Sequence, residues 1–161
     1  MSAAGQLSLR LALAIILVAH GAHKLFGVWA GPGVGPGGPD GTIAVLAAAG
    51  VGSSFALAIA TGVVQLAGGL LIGIGALTRW ACLALFFYLL VGLWTTHLEW
   101  GFFLNWTGAA GVGNGIEYSI ALMGGLLCLA LSGPGDWSID GHRANTAEAR
   151  AAARARVRNK F

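Results

Sequence analysis

Seven side chains able to hold a proton or a ligand sit in or beside long apolar runs of this sequence: His20, His23, Lys24, Gln65, Tyr88, His97 and Glu117. His20 and Lys24 stand four apart and His20 and His23 three apart, so a helix sets all three on one face. Ionisable groups inside lipid are costly, and they turn toward a protein interior or a water-filled cavity, or snorkel to the interface. Histidine, lysine, glutamate and tyrosine at the edge of hydrocarbon supply hydrogen-bond donors and a proton-exchanging acid. A quinone head group needs both.

Plainer uses compete for the same residues. The favoured one for Lys24 and Glu117 is a partly buried ion pair pinning one helix to another. His20 and His23 can cap a helix end and bond loop carbonyls, and Gln65 can be an interhelical hydrogen bond worth about 1 kcal/mol. A metal held by His20, His23, His97 and Glu117 rests on a weak His-x-x-His pattern, so no metal is assigned. Haem would need facing histidines at matched depth; His20 and His97 could be so arranged, but nothing in the sequence demands it. No Ser-His-Asp or Cys-His arrangement falls at one depth, which leaves catalytic residues and enzymatic activity unassigned. The glycines of GPGVGPGGPDG do not join a strand to a helix and so form no phosphate cradle.

The elements that must carry these groups follow from composition. Of 161 residues, 57% are hydrophobic and 9% charged, against about 25% charged in a soluble domain. Mean hydropathy is +0.77. The expected class is all-α: an integral membrane, antiparallel four-helix bundle with a short interfacial helix and a basic cytoplasmic C-terminal tail. Apolar runs place spans at about 7–27, 55–77, 79–97 and 115–131, within one domain over 1–140 followed by a tail at 141–161. The first run has features of a signal peptide, but it is long enough to cross and is expected to be retained. Cys82 and Cys128 lie within apolar runs and read as packing residues.

Between the first two spans, glycines and prolines from Val28 onward exclude helix. Thr42 to Ala49 is then expected to form a short helix lying at the membrane surface or folded back over the bundle, opened by Asp40 or Thr42 and closed by Gly50. In the second span Thr61, Gln65, Gly69 and Gly73 recur every four residues, a stripe suited to close helix approach. In the fourth, Glu117, Ala121, Gly124 and Cys128 share a face expected to turn toward partners. The aromatic stretch Leu98 to Asn114 reads as a cover seated at the headgroups.

With four spans, Arg10, Arg79 and the tail put eight of the nine Lys and Arg residues on one side and Lys24 alone on the other. The positive-inside rule then puts both termini in the cytoplasm. Gln65, roughly 15 Å into its span, and Tyr88 form the floor of an outward cavity, while the inner half of the bundle is dry. The basic tail faces anionic lipid in preference to nucleic acid. Membrane lipids and other membrane subunits are the expected partners.

The stretches VAHGAHKLFG (Val18 to Gly27), GGPDGTIAVLAAAG (Gly37 to Gly50), GVVQLAGGLLIGIGALTRWA (Gly62 to Ala81), THLEWGFFLNW (Thr96 to Trp106) and GIEYSIALMGGLLCLALSGPGDWSID (Gly115 to Asp140) resemble the DoxX family. The resemblance implies a four-helix bacterial inner-membrane protein. The family takes its name from the quinone-linked thiosulfate oxidoreductase of sulfur-oxidising archaea, and relatives occur in membrane complexes tied to thiol and oxidative-stress chemistry. Lys24, His97 and Glu117 match positions where the family tends to be polar. Gln65 stands where many members carry glutamate, which weakens a role as proton acceptor. Two readings follow: a redox-complex subunit that helps bind quinone, or a non-catalytic subunit that docks on a larger assembly. A transporter is disfavoured, since the spans show neither an inverted repeat nor helices broken at the midplane.

Overall fold

The computed structural model describes residues 1–31 and 34–158, all-helical apart from one isolated bridge between Gly31 and Gly35. The helices are α1 (Ala3–Phe26), α2 (Gly38–Ala48), α3 (Phe55–Ile74), α4 (Thr78–Gly92), α5 (Glu117–Ser132) and α6 (Ile139–Arg158). A π-helical turn, Leu93–His97, and a 3₁₀ turn, Leu98–Trp100, continue α4. Among the described residues three helical stretches are long and apolar enough to cross a membrane: Ala3–Phe26, Phe55–Ile74 and Thr78–Trp100. The expected fourth span, α5, is apolar but has 16 residues. At 1.5 Å per residue it is about 24 Å long, short of a hydrocarbon core of about 30 Å.

Local chemistry sets the helix limits. α1 starts earlier than its apolar run because Ser2 caps it, accepting from the Gly5 N–H at 3.2 Å. It stops where Gly27 turns left-handed and returns its N–H to the His23 carbonyl at 2.9 Å. α2 corrects the reading of the glycine-proline loop: the helix opens at Gly38, not Thr42. Pro39 falls in the first turn, where a missing N–H costs nothing. Thr42, freed from capping, donates to the carbonyls of Gly38 and Lys24 at 2.9 and 3.4 Å.

α1 packs along α3, α4 lies between α3 and α5, and α5 also touches α1. Leu13, Leu17, Ile72, Cys82, Leu85, Leu122, Leu126 and Leu129 form the shared core. The expected small-residue stripe of α3 is its packing face: Gly69 meets Val18 and Gly73 meets Ala14. The closest approach is at Gly21, where a Cβ would stand 2.4 Å from the Leu66 backbone nitrogen. The small face proposed for α5 is not its packing face. Ser119, Leu122, Leu126 and Leu129 turn inward instead, while Ala121 is exposed and the space beside Gly124 is open. Leucines fill the gap to α4, so α5 needs no close approach there.

The expectation of a dry inner half is overturned. Arg10 is 2% exposed and donates to four carbonyls: Ile72 at 3.0 Å, Gly73 at 2.7 Å, Pro134 at 3.2 Å and Trp137 at 2.7 Å. Two of these belong to the last turn of α3, whose carbonyls lack partners within the helix. Gln6 does the same for α5, donating to Ser132 and Gly133 at 3.3 Å. Asp140 caps α4 from α6, its oxygens accepting from Leu77 N–H, Thr78 N–H and the Thr78 hydroxyl at 2.9 to 3.2 Å. Between these caps Gly75 has φ +72, and a Cβ there would lie 2.4 Å from that of Ser138 and 2.8 Å from the Arg10 guanidinium carbon. Both its backbone and the space beside it require glycine.

Two outcomes test this end of the molecule. Arg10→Met removes the donor from the Gly73, Pro134 and Trp137 carbonyls and leaves Ile72 with the Gly75 N–H alone; it should cost roughly 3 kcal/mol, read as a lowered thermal midpoint in detergent, with Arg10→Lys recovering only part. A midpoint unchanged in Arg10→Met would contradict the capping role. The second concerns pH. Burial pushes the Asp140 carboxyl up, but hydrogen bonds from Thr78 and Leu77 and the charge of Arg143 together hold it below its usual range. The stabilisation is therefore complete above the ordinary carboxylate range, near pH 4, and is lost as pH falls through the depressed value. The thermal-midpoint gap between the parent chain and Asp140→Asn should close in that acidic window and be constant above it.

Candidate functional site

The opposite end of α1 carries His20, His23 and Lys24. Their shared helix face does not lead to a shared site. Lys24 is partly buried and donates to the Tyr88 hydroxyl on α4, with its nitrogen 5.1 Å from the ring centroid. His20 is exposed, its Nδ1 3.0 Å from the Ile16 carbonyl and its ring stacked on Tyr118 of α5 at 6.4 Å between centroids. His23 turns to the loop, with Nδ1 2.8 Å from the Val28 carbonyl.

The ion pair between Lys24 and Glu117 is not what forms. Glu117 accepts from the Leu104 N–H at 3.0 Å, while its own N–H donates to the Phe102 carbonyl at 2.9 Å. The aromatic loop folds over the start of α5, and the carboxylate offers an acceptor nearer than any cation. His97, in the π-helical turn, bonds the Asn114 carbonyl at 2.8 Å and ties the same loop to α4. His23, His97 and Glu117 thus organise backbone; for His23 this is the expected bond to a loop carbonyl, whereas His20 bonds a carbonyl of its own helix. Among the described residues no three of His, Cys, Asp and Glu gather as a metal-binding group.

What remains is a trio. Gln65 is 4% exposed, and among the described residues its Oε1 has no hydrogen-bond partner. Gly21 meets Leu66, Gly62 meets Leu25 and Lys24, and Gly68 meets Leu85. One turn from Gly68 toward the Lys24 end is Gln65, and one turn from Leu85 in that direction is Tyr88. The antiparallel register therefore sets Gln65 at the level of Lys24 and Tyr88. A buried carbonyl oxygen without a donor costs about 1–3 kcal/mol, and here it stands at the level of an ammonium and a phenol. The set can donate to a carbonyl and accept from a hydroxyl.

The family model described as DoxX matches residues 5–98. The chain belongs to the DoxX family. The DoxX match includes Lys24, Gln65, Tyr88 and His97 and ends before Glu117. No curated protein and no solved structure matches the chain. DoxX membership and three membrane-length helices make it a membrane protein of the DoxX type.

Arg10, Gln6 and Asp140 were absent from the expected polar residues. A lone arginine early in an apolar run was the available signal, since such a charge in a span faces protein and finds carbonyls. On the sequence alone Arg10 reads as a topology charge and as part of a signal-peptide-like start.

Double-mutant cycles on thermal unfolding separate the two arrangements. Lys24→Met with Tyr88→Phe should couple by about 1 kcal/mol, whereas Lys24→Met with Glu117→Gln should be additive to within about 0.5 kcal/mol. Strong coupling in the second cycle would restore the ion pair.

Proposed function

We propose that this chain is a membrane subunit of a redox complex and holds a quinone or quinol head group at Gln65, Lys24 and Tyr88. The observation that carries the reading is the buried Gln65 Oε1 without a donor. A quinone brings only acceptors, which the Lys24 ammonium and the Tyr88 hydroxyl suit. A quinol brings hydroxyl donors, one of which would satisfy Gln65. Gln65 is an amide, so the trio binds and orients, and a proton acceptor would have to come from elsewhere.

In this reading α5 is the fourth crossing, its shortfall met by local thinning of the bilayer or by the irregular segments that flank it. Arg10, Arg79 and Arg143 then lie at one end with Lys24 at the other, a bias that supports cytoplasmic termini in a bacterial inner membrane. The side chains of Arg154, Arg156, Arg158 and Lys160 lie outside the described residues; as sequence they extend the basic tail toward anionic lipid.

A second reading, an accessory subunit that docks on a larger assembly, is favoured by a specific observation. The small face of α5 is unfilled at Gly124, and Trp94, Phe103 and Trp106 are exposed on the loop side. Stoichiometric co-purification of partners with no quinone would support it over the first.

The quinone reading predicts opposite signs for one substitution. Gln65→Leu removes a buried orphan acceptor, so the ligand-free protein should melt higher, while quinol affinity should drop about tenfold. Solvent extraction of the purified parent chain should recover quinone. A lipid extract free of quinone, together with unaltered quinol binding in Gln65→Leu, would exclude the site.

A further inference from the structure

The Arg10 end carries a pocket that the helix caps border but do not fill, and that the quinone reading does not use. It encloses about 260 Å³ and is lined by Leu77, Arg79, Trp80, Pro134 and Asp140. Much of its wall is apolar and open: Trp80 is 73% exposed, and Leu77, held at φ +49, is turned out by the left-handed backbone of the α3–α4 connection. Arg79 is exposed, and among the described residues its guanidinium has no hydrogen-bond partner. It lies across the end of α5, with Nη2 3.4 Å from where a Cβ on Gly133 would stand.

Among the described residues, the one acid in the lining forms no ion pair with it. Both Asp140 oxygens are taken by Leu77 N–H, Thr78 N–H and the Thr78 hydroxyl. Arg143 follows Asp140 by three residues on α6, which puts the two on one face. Arg143 is itself exposed, and its charge acts on the Asp140 carboxylate. Trp80 and Trp137, both largely exposed, flank this end of the membrane-length helices. Exposed tryptophans mark the headgroup level of a bilayer.

We propose that this pocket binds one anionic glycerophospholipid, its phosphate on Arg79 with Arg143 beside it, and its glycerol and upper acyl carbons against Leu77, Trp80 and Pro134. Guanidinium and phosphate match as fork to oxygens, a pairing worth more than the general attraction of a basic surface. The site differs from the lipid attraction of the tail in being discrete, stoichiometric and selective for the head group. It is independent of the quinone reading.

The test uses the full chain in neutral detergent at about 0.3 M salt, where the Debye length of roughly 5 Å suppresses diffuse attraction. Native mass spectrometry with phosphatidylglycerol should show one retained lipid per chain, and phosphatidylcholine should show none. Arg79→Gln should weaken phosphatidylglycerol binding about tenfold with the lipid-free thermal midpoint unchanged. The triple variant Arg154→Gln, Arg156→Gln, Arg158→Gln should bind as the parent does. Should Arg79→Gln also lower the midpoint, Trp80→Ala carries the same expected loss of binding. Equal binding of the two lipids, full binding by Arg79→Gln, loss of binding in the tail variant, or displacement by millimolar inorganic phosphate would each overturn the proposal.

Discussion

A buried arginine holds this molecule together at one end. Its four carbonyl partners come from the close of α3 and from the segment after α5, so one side chain of α1 fixes where two other elements stop. The constraint behind it is general: helix ends expose backbone groups that an apolar surrounding cannot satisfy. Here the solution is borrowed caps. Gln6 serves α5, Arg10 serves α3 and Asp140 serves α4, each from a different helix. The tight connection at Gly75 allows these caps to converge, because any larger residue would strike Arg10 and Ser138.

The middle of the molecule depends on distance of approach. Lipid gives apolar helices no hydrophobic reason to associate, so packing contacts and interhelical hydrogen bonds must do it. Gly21, Gly69 and Gly73 let α1 and α3 touch almost backbone to backbone. That register decides the level of Lys24 relative to Gln65, and the packing of Gly68 on Leu85 brings Tyr88 to the same level. The trio is a product of glycine packing on helices that are otherwise apolar.

At the Lys24 end most of the polar groups serve backbone. Glu117 and His97 hold a loop that has almost no regular structure of its own, and His23 secures the exit of α1. These residues are polar at a membrane edge because a loop must be anchored there. The π-helical turn that carries His97 widens α4 where the chain leaves the core.

By itself the sequence determined that the protein is helical and apolar, where three of its long helices lie, and that Gly69 and Gly73 mark a packing face. Each is a property of composition or of a period along one helix, so it can be read locally. Family membership was legible for the same reason, in short motifs in order. Only the tertiary structure decided that Lys24 goes to Tyr88 and not Glu117, that the leucines of α5 and not its small residues face inward, and that Arg10 is a buried cap. Those outcomes depend on which carbonyl, amide or hydroxyl another segment presents within about 3 Å. A residue's type states what it can bond, and the register between helices chooses the partner.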